Sequence, residues 1–188
     1  MEYFNKRKNV DDYLRMVEGY DGRELIQILK QYLSAGSSLL ELGMGPGKDL
    51  DILVETFSVT GSDTSQVFLD LYREKQPDSD LLKLDAISVA TDRKFDCIYS
   101  NKVLQHLHKK DILRSFTNQV KCLKEGGLIM HSFWLGESEE EHHGLWFANY
   151  TETELLDILG PGFAVVKTER YTEIEENDSF YVILRKSE

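Results

Sequence analysis

Two cysteines, Cys97 and Cys122, are all that 188 residues contain, and they lack the CxxC spacing of a redox or zinc motif. Both fall in segments of regular apolar pattern, where a reduced cysteine behaves as a small hydrophobe. A disulfide framework is excluded, and a chain this long needs none, because it can bury most of the apolar surface its unfolded form exposes. Apolar runs approaching the ~20 residues of a membrane span are missing, and the N-terminus is too polar for a secretory signal. The expectation is a cytoplasmic protein with no membrane partner. Basic residues are the minority, 22 Lys and Arg against 33 Asp and Glu, for a net charge of −11. The densest basic run, Lys6-Arg7-Lys8, sits at the N-terminus, where a solvated end accounts for it. Such a chain repels a phosphate backbone unless it hides a basic patch, so no nucleic-acid partner is expected. Repeats and low-complexity tracts are also missing, and a single domain is expected over residues 1–188.

What is there is an ordered alternation of strand and helix signals. Leu25, Ile26, Leu29 and Leu33 recur at helical spacing over 21–33, and Gly36-Ser37 break the pattern. A short apolar strand over 38–42 runs into Gly43. Helix over 47–56 follows, then a strand over 57–61 that ends at Ser62-Asp63, helix over 65–75, a strand over 81–84 ending at Asp85, and a strand over 95–99 ending at Ser100-Asn101. Ile112, Phe116, Val120 and Leu123 make an amphipathic stripe over 110–124, with Gly126-Gly127 read as its stop. A fifth strand occupies 128–134. A polar insertion over 135–150 carries the acidic run Glu137 to Glu141, read as a loop tip. Thr151 and Glu154 form a capping box for helix 152–159. Two strands near 163–170 and 179–185 close the chain. Alternation of this kind predicts an α/β fold with a mostly parallel sheet covered by helices on both faces, and the final hairpin predicts one antiparallel strand near the C-terminus.

The stretch Glu41-Leu42-Gly43-Met44-Gly45-Pro46-Gly47-Lys48 joins the first strand to its helix. Glycines there let the backbone turn tightly and approach a ligand, and in an open doubly wound sheet ligands sit at the carboxyl ends of the strands. Two cofactor classes compete for the loop. A nicotinamide dinucleotide requires G-x-G-x-x-G, and Lys48 stands where its third glycine belongs. The spacing is Glu-x-Gly-x-Gly-x-Gly instead. Glu41 is unfavourable beside a pyrophosphate and compatible with a sulfonium and an ammonium. Asp63, 20 residues after Gly43, closes the second strand, where a carboxylate can accept from both ribose hydroxyls. Asp85 closes the third strand and can accept from an adenine amino group, and Ser100 and Asn101 close the fourth. Either aspartate alone could be a helix cap. Polar groups at four consecutive strand ends point to one cofactor cleft.

These segments resemble the class I S-adenosylmethionine-dependent methyltransferase superfamily, and within it the ubiquinone/menaquinone-biosynthesis-type methyltransferase domain. The resemblance rests on LLELGMGPG at 39–47, GSD at 61–63, LDA at 84–86, FDCIYSNKVLQHL at 95–107 and LKEGGLIMHSF at 123–133, in the family's order. It implies a Rossmann-like doubly wound sheet of order 3-2-1-4-5-7-6, with strand 7 antiparallel. It implies S-adenosyl-L-methionine as cofactor, S-adenosyl-L-homocysteine as product, and a small-molecule methyl acceptor. It implies cofactor contacts from Glu41, Gly43, Gly45, Asp63, Asp85, Ala86 and Ser100, with Leu42, Met44 and Thr64 on the same loops. Related domains fold an N-terminal segment over the cofactor, which would make residues 1–36 a helical cover and place Tyr20 at the cleft, with Tyr3 and Tyr13 on the same segment. Met44 and Pro46 depart from the small or hydroxylic residues commoner in the family loop, and Gln105-His106 stands where two adjacent histidines are common.

Methyl transfer from a sulfonium is an in-line displacement in which positioning does much of the work, and a base is needed only when the acceptor must lose a proton. The candidate catalytic residues are His106, after the fourth strand, and His131, on the fifth. Trp134, and His142, His143 and Trp146 of the insertion, lie on the acceptor side, with the insertion as a candidate lid. His142-His143 with Glu139 to Glu141 matches no standard zinc spacing, and no metal is expected. A non-catalytic cofactor-binding module and a nicotinamide-dependent oxidoreductase are the alternative functions. A tRNA methyltransferase is disfavoured by the acidic charge, and the Asn-Pro-Pro-Tyr-type motif of amino-group methylation is replaced by Ser100-Asn101-Lys102-Val103. Oligomeric state is not legible.

Overall fold

A computed structural model describes residues 3–142 and 144–187. The strands are β1 Ser38–Leu42, β2 Ser58–Asp63, β3 Leu81–Lys83, β4 Phe95–Asn101, β5 Leu123–Trp134, β6 Glu139–His142, β7 Leu145–Ala148, β8 Phe163–Tyr171 and β9 Ser179–Lys186. The α-helices are α1 Arg7–Met16, α2 Arg23–Leu29, α3 Lys48–Leu53, α4 Gln66–Lys75, α5 Lys109–Lys121 and α6 Glu152–Leu159. Seven strands form one sheet in the order β3-β2-β1-β4-β5-β9-β8. β1 to β5 are parallel, and β9 runs antiparallel between β5 and β8. With β6 and β7 set aside, this is the expected order 3-2-1-4-5-7-6.

The sheet forms because its central strands are apolar on both faces. On β1, Leu39 joins Leu25, Ile26 and Leu29 of α2, with Leu53 of α3, on one side. Leu40 and Leu42 face the opposite side with Ile98 and Phe95. Cys97 and Cys122 are both free and buried, as their apolar surroundings predict. Beyond β4, Ile112 and Phe116 of α5 and Leu155 and Leu159 of α6 pack on Ile129, Phe133, Phe180 and Val182. Thr151 caps α6 by accepting from the Glu154 amide at 3.1 Å. The Glu154 side chain completes no box, because it reaches Lys109 at 2.6 Å instead.

Two local expectations are corrected. α5 ends at Lys121, and Leu123 already pairs with Phe95 in β5, so Gly126-Gly127 are not the helix stop. Gly126, at φ 70°, lies inside β5, whose ladder to β4 is irregular between Phe95 and Cys97. The acidic run is not a loop tip either. Glu139 to His142 form β6, paired with β7 from Glu139↔Ala148 to His142↔Leu145. The partner strand supplies the apolar residues, which the all-polar run cannot advertise.

Phe116 is fully buried at the junction of α5 with β5, β9 and α6, and its ring meets His131 and Phe163 edge-on. Phe116→Ala should cost about 3–5 kcal/mol of stability by urea unfolding. A loss below about 1 kcal/mol would mean that this junction is not a packed core.

Candidate functional site at the carboxyl edge of the sheet

The loop between β1 and α3 is built from glycines because no other residue fits. Gly43 has φ 67°, and a Cβ there would meet Val103 Cγ1 at 2.4 Å; Gly47 has φ 81°, with Tyr72 at 2.2 Å. The loop is held from outside by Asp63, whose Oδ2 accepts from the Gly45 amide at 3.0 Å while its Oδ1 accepts from the Ser65 amide at 2.8 Å. Burial raises the Asp63 pKa, and the backbone amides of Ser65 and Gly45 oppose the rise. Met44 is buried in the loop, among Leu50, Leu69, Tyr72 and Leu81. Leu42 is buried beneath it.

Glu41 points into the same edge. It is 4% exposed, and its Oε2 has no hydrogen-bond partner among the described residues. Burial, then the charges of Asp49, Asp63 and Asp51, raise its pKa well above the ordinary carboxylate range. Asp49, which sequence reading missed, is the opposite case. Its Oδ1 accepts from the Gly22 amide at 2.6 Å, and its Oδ2 accepts from Tyr99 Oη at 2.8 Å and Asn101 Nδ2 at 3.1 Å. A charged residue in the first turn of the helix after a glycine loop is the signal that could have found it.

The other expected contacts fall unevenly. Asp85 is exposed, and its Oδ1 accepts from the amides of Ile87 and Ser88 at 3.1 and 2.8 Å, the local turn that competed with a ligand role. Ala86 follows it, half-buried. Thr64 follows Asp63 at the end of β2 and is half-buried. Tyr20 is 48% exposed and lines a cavity of about 300 Å³ with Gly22, Asn101, Tyr171 and Glu173. The tyrosine against the loop is Tyr13 of α1. Its ring packs on Phe4 and Phe68 at 5.1 and 5.9 Å and lies beside Gly45. Burial, with Asp63 and Asp49 nearby, pushes its hydroxyl up to about 12. Aromatic spacing alone could not choose between Tyr13 and Tyr20.

The structure does not bring His131 to the cleft. The ring is fully buried, with Nε2 2.7 Å from Gln119 Oε1 and Nδ1 2.7 Å from Ser100 Oγ. With Gln119 Oε1 as acceptor, Nε2 carries the proton and Nδ1 accepts from Ser100 Oγ. Gln119 Nε2 then donates to Ser115 Oγ at 3.1 Å, which donates to the Ala86 carbonyl at 2.6 Å. The result is one directed chain of hydrogen bonds from Ser100, under the sheet, to the loop after β3. It also turns the Ser100 hydroxyl away from the cleft, leaving only its backbone at the strand end. The period of two along β5 put His131 on the face that α5 covers.

His106, in a 3-10 turn at Leu104–His106, is held differently. Its Nδ1 donates to the Trp146 carbonyl at 2.7 Å, and its ring meets Phe147 at 4.7 Å. His108 packs on Trp146 at 4.3 Å. The β6–β7 hairpin therefore sits against the turn that carries His106. Burial lowers the His106 pKa, so near neutral pH the imidazole is uncharged with Nε2 as its bare nitrogen. His142 lies 3.1 Å from Glu140, and His143 lies outside the described residues. No group of three metal-ligating side chains occurs among the described residues, and no described helix is long and apolar enough to cross a membrane.

Burial lowers His131 to about 3 from the ordinary 6.5. Unfolded chain then binds a proton below about pH 6.5 that the folded chain refuses until about 3. This contribution is complete above pH 6.5 and declines as pH falls, by at most about 1.4 kcal/mol per unit. Urea unfolding of wild type and His131→Gln between pH 7 and 4.5 should show wild type losing its advantage on acidification. Parallel curves would mean that the buried imidazole takes up its proton normally.

The comparisons with known proteins agree with this architecture. A model of the methyltransferase domain family matches residues 13–157. A trans-aconitate 2-methyltransferase of Rhizobium rhizogenes (strain K84 / ATCC BAA-868) is 30% identical over 93 residues, 48% of this chain and 36% of that protein. Its counterpart in Paracidovorax citrulli (strain AAC00-1) is 34% identical over 104 residues, 52% of this chain and 38% of that protein. The match thus spans little more than a third of the length of these curated relatives. A TehB-like SAM-dependent methyltransferase from Corynebacterium glutamicum ATCC 13032 Kitasato has the same fold, with a TM-score of 0.78 at 15% identity over 97% of this chain and 100% of the other. With most of its length matched by the family model, this chain belongs to the methyltransferase domain family.

Proposed function

We propose that this chain binds S-adenosyl-L-methionine and transfers its methyl group to a small-molecule acceptor. The observation that carries the reading is Glu41: a buried carboxyl with an unpartnered oxygen, flanked by Asp49 and Asp63, at the mouth of a loop that only glycines can form. Such a site suits a cation and opposes a pyrophosphate. A nicotinamide dinucleotide is therefore disfavoured by charge as well as by Lys48 at the third glycine position. The solved glycopeptide N-methyltransferase MtfA complexed with S-adenosyl-L-methionine shares the fold, with a TM-score of 0.74 at 16% identity over 91% of this chain and 89% of that one.

In this reading the Gly43–Gly47 loop, Glu41 and Asp63 hold the cofactor, with Asp85 and Ala86 at its adenine end. Bound there, the cofactor supplies an electrophilic methyl group on a sulfonium. Tyr13 and Phe4 close the β2 side of the cleft. The acceptor lies on the side of His106 and the β6–β7 hairpin. An uncharged His106 is fit to take the acceptor's proton through Nε2, because its other nitrogen is tied to the Trp146 carbonyl. The hairpin thereby fixes both the tautomer and the orientation of the candidate base. His131, fully engaged in the core, has no part in this chemistry.

Calorimetric titration with S-adenosyl-L-homocysteine, with NADH as control, tests the cofactor. Micromolar binding of the first alone is expected, and tight NADH binding with none of the first would assign the chain to the oxidoreductases. Asp63→Ala should weaken S-adenosyl-L-homocysteine at least about tenfold, since charge-assisted hydrogen bonds are lost; unchanged affinity in a folded variant would remove Asp63 from the site. His106→Ala should leave cofactor affinity within about twofold and lower methyl transfer about 10²-fold or more when the acceptor needs a base. Normal turnover would make His106 a strut for the hairpin.

A further inference from the structure

The carboxyl edge of the sheet gathers acidic side chains, and one of them keeps an oxygen with no partner among the described residues. Asp49 accepts three hydrogen bonds, Asp63 accepts two backbone amides, and Asp51 accepts the Tyr72 hydroxyl at 2.6 Å. Glu41 Oε2 accepts none among the described residues, in a residue that is only 4% exposed. The titratable neighbours that bear on it are Asp49 and Asp51 from α3, Asp63 from β2, Tyr72 from α4 and Tyr99 from β4, with Tyr13 of α1 beside Asp63. Every one is an acid. Lys48, at the start of α3, is engaged by the Val17 carbonyl. An ionised Glu41 is therefore desolvated, unpartnered at Oε2 and repelled, and the arrangement favours a proton on it.

We propose that Glu41 is the residue by which this chain tells the charged methyl donor from the spent cofactor, by releasing a proton when the donor binds and regaining one after transfer. The inference rests on the methyltransferase reading above. S-adenosyl-L-methionine and S-adenosyl-L-homocysteine share the ammonium and the carboxylate and differ by the methyl group and one positive charge at sulfur. Donor binding brings that charge into the acidic edge, and the Glu41 carboxyl gives its proton to solvent. In the transfer step the acceptor's lone pair forms the new bond to the methyl carbon, the carbon–sulfur bond breaks, and its electron pair stays on a now neutral sulfur. An acceptor X–H loses its proton in becoming X–CH₃. Glu41 is then an uncompensated buried carboxylate, which takes up one proton from solvent. Proton release on donor binding and uptake afterwards cancel, so the cycle as a whole yields the single proton lost by the acceptor. The same charge that stabilises the donor is absent from the product, so the acidic edge holds the donor more tightly than the product.

Titration calorimetry of the whole chain between pH 5.5 and 8.5, in pairs of buffers of different ionisation enthalpy, reads this directly. Donor binding should release more protons than product binding, by up to one per site, and donor affinity relative to product affinity should rise with pH by at most about tenfold per unit. The comparison is read below about pH 7, where the ammonium is protonated in both ligands and cancels in this difference. Glu41→Gln should remove the difference in proton release and flatten the affinity ratio across pH. Equal proton release for the two ligands in wild type, or a pH-dependent ratio that survives in Glu41→Gln, would overturn the role of Glu41 while leaving the cofactor reading intact. Failure of both ligands to bind would overturn the methyltransferase reading and this inference together.

Discussion

Asp49 is the point on which the cleft depends. One side chain collects the amide of Gly22 at the entry to α2, the hydroxyl of Tyr99 and the side-chain amide of Asn101 on β4, while its own backbone lies in the first turn of α3. Three segments far apart in sequence are thereby fixed around the glycine loop. The arrangement is close enough that a Cβ on Gly22 would lie 2.3 Å from an Asp49 oxygen. Burial makes the loss of any of these donors costly. With Asp49 served in this way, the carboxyl oxygen left unserved at this edge among the described residues is Oε2 of its neighbour, Glu41.

A second buried polar system lies under the opposite side of the edge. The chain Ser100–His131–Gln119–Ser115–Ala86 joins two strand ends expected to meet the cofactor, by way of α5. Each donor has one acceptor, and all four side chains are fully buried. Networks of this kind are costly when broken and specify a unique arrangement when complete. Their physical effect here is to fix the loop after β3 relative to β4 and β5. The two histidines expected to serve catalysis thus divide: one belongs to this network, and the other is oriented by the hairpin.

The strand order, the antiparallel β9 and the glycine loop were legible because each is a local pattern. Apolar runs ending in polar residues mark buried parallel strands, and a sheet of such strands leaves few topologies. Asp63 and Glu41 were legible because their places at strand ends follow from that topology. What was not legible involves partners distant in sequence. The acidic run Glu139 to Glu141 is a strand only because Leu145 to Ala148 returns beside it. Tyr13 rather than Tyr20 meets the loop because α1 packs on Phe68 of α4.

By itself the sequence determined the fold class, the position of the glycine loop and the surplus of acid, because periodicity, glycine spacing and charge are properties of the chain. Only the tertiary structure decided which acids are served and which is not, and which histidine is core and which faces the hairpin. The reason is that burial and hydrogen-bond partners set the state of an ionisable group, and both come from segments that meet only when the chain folds.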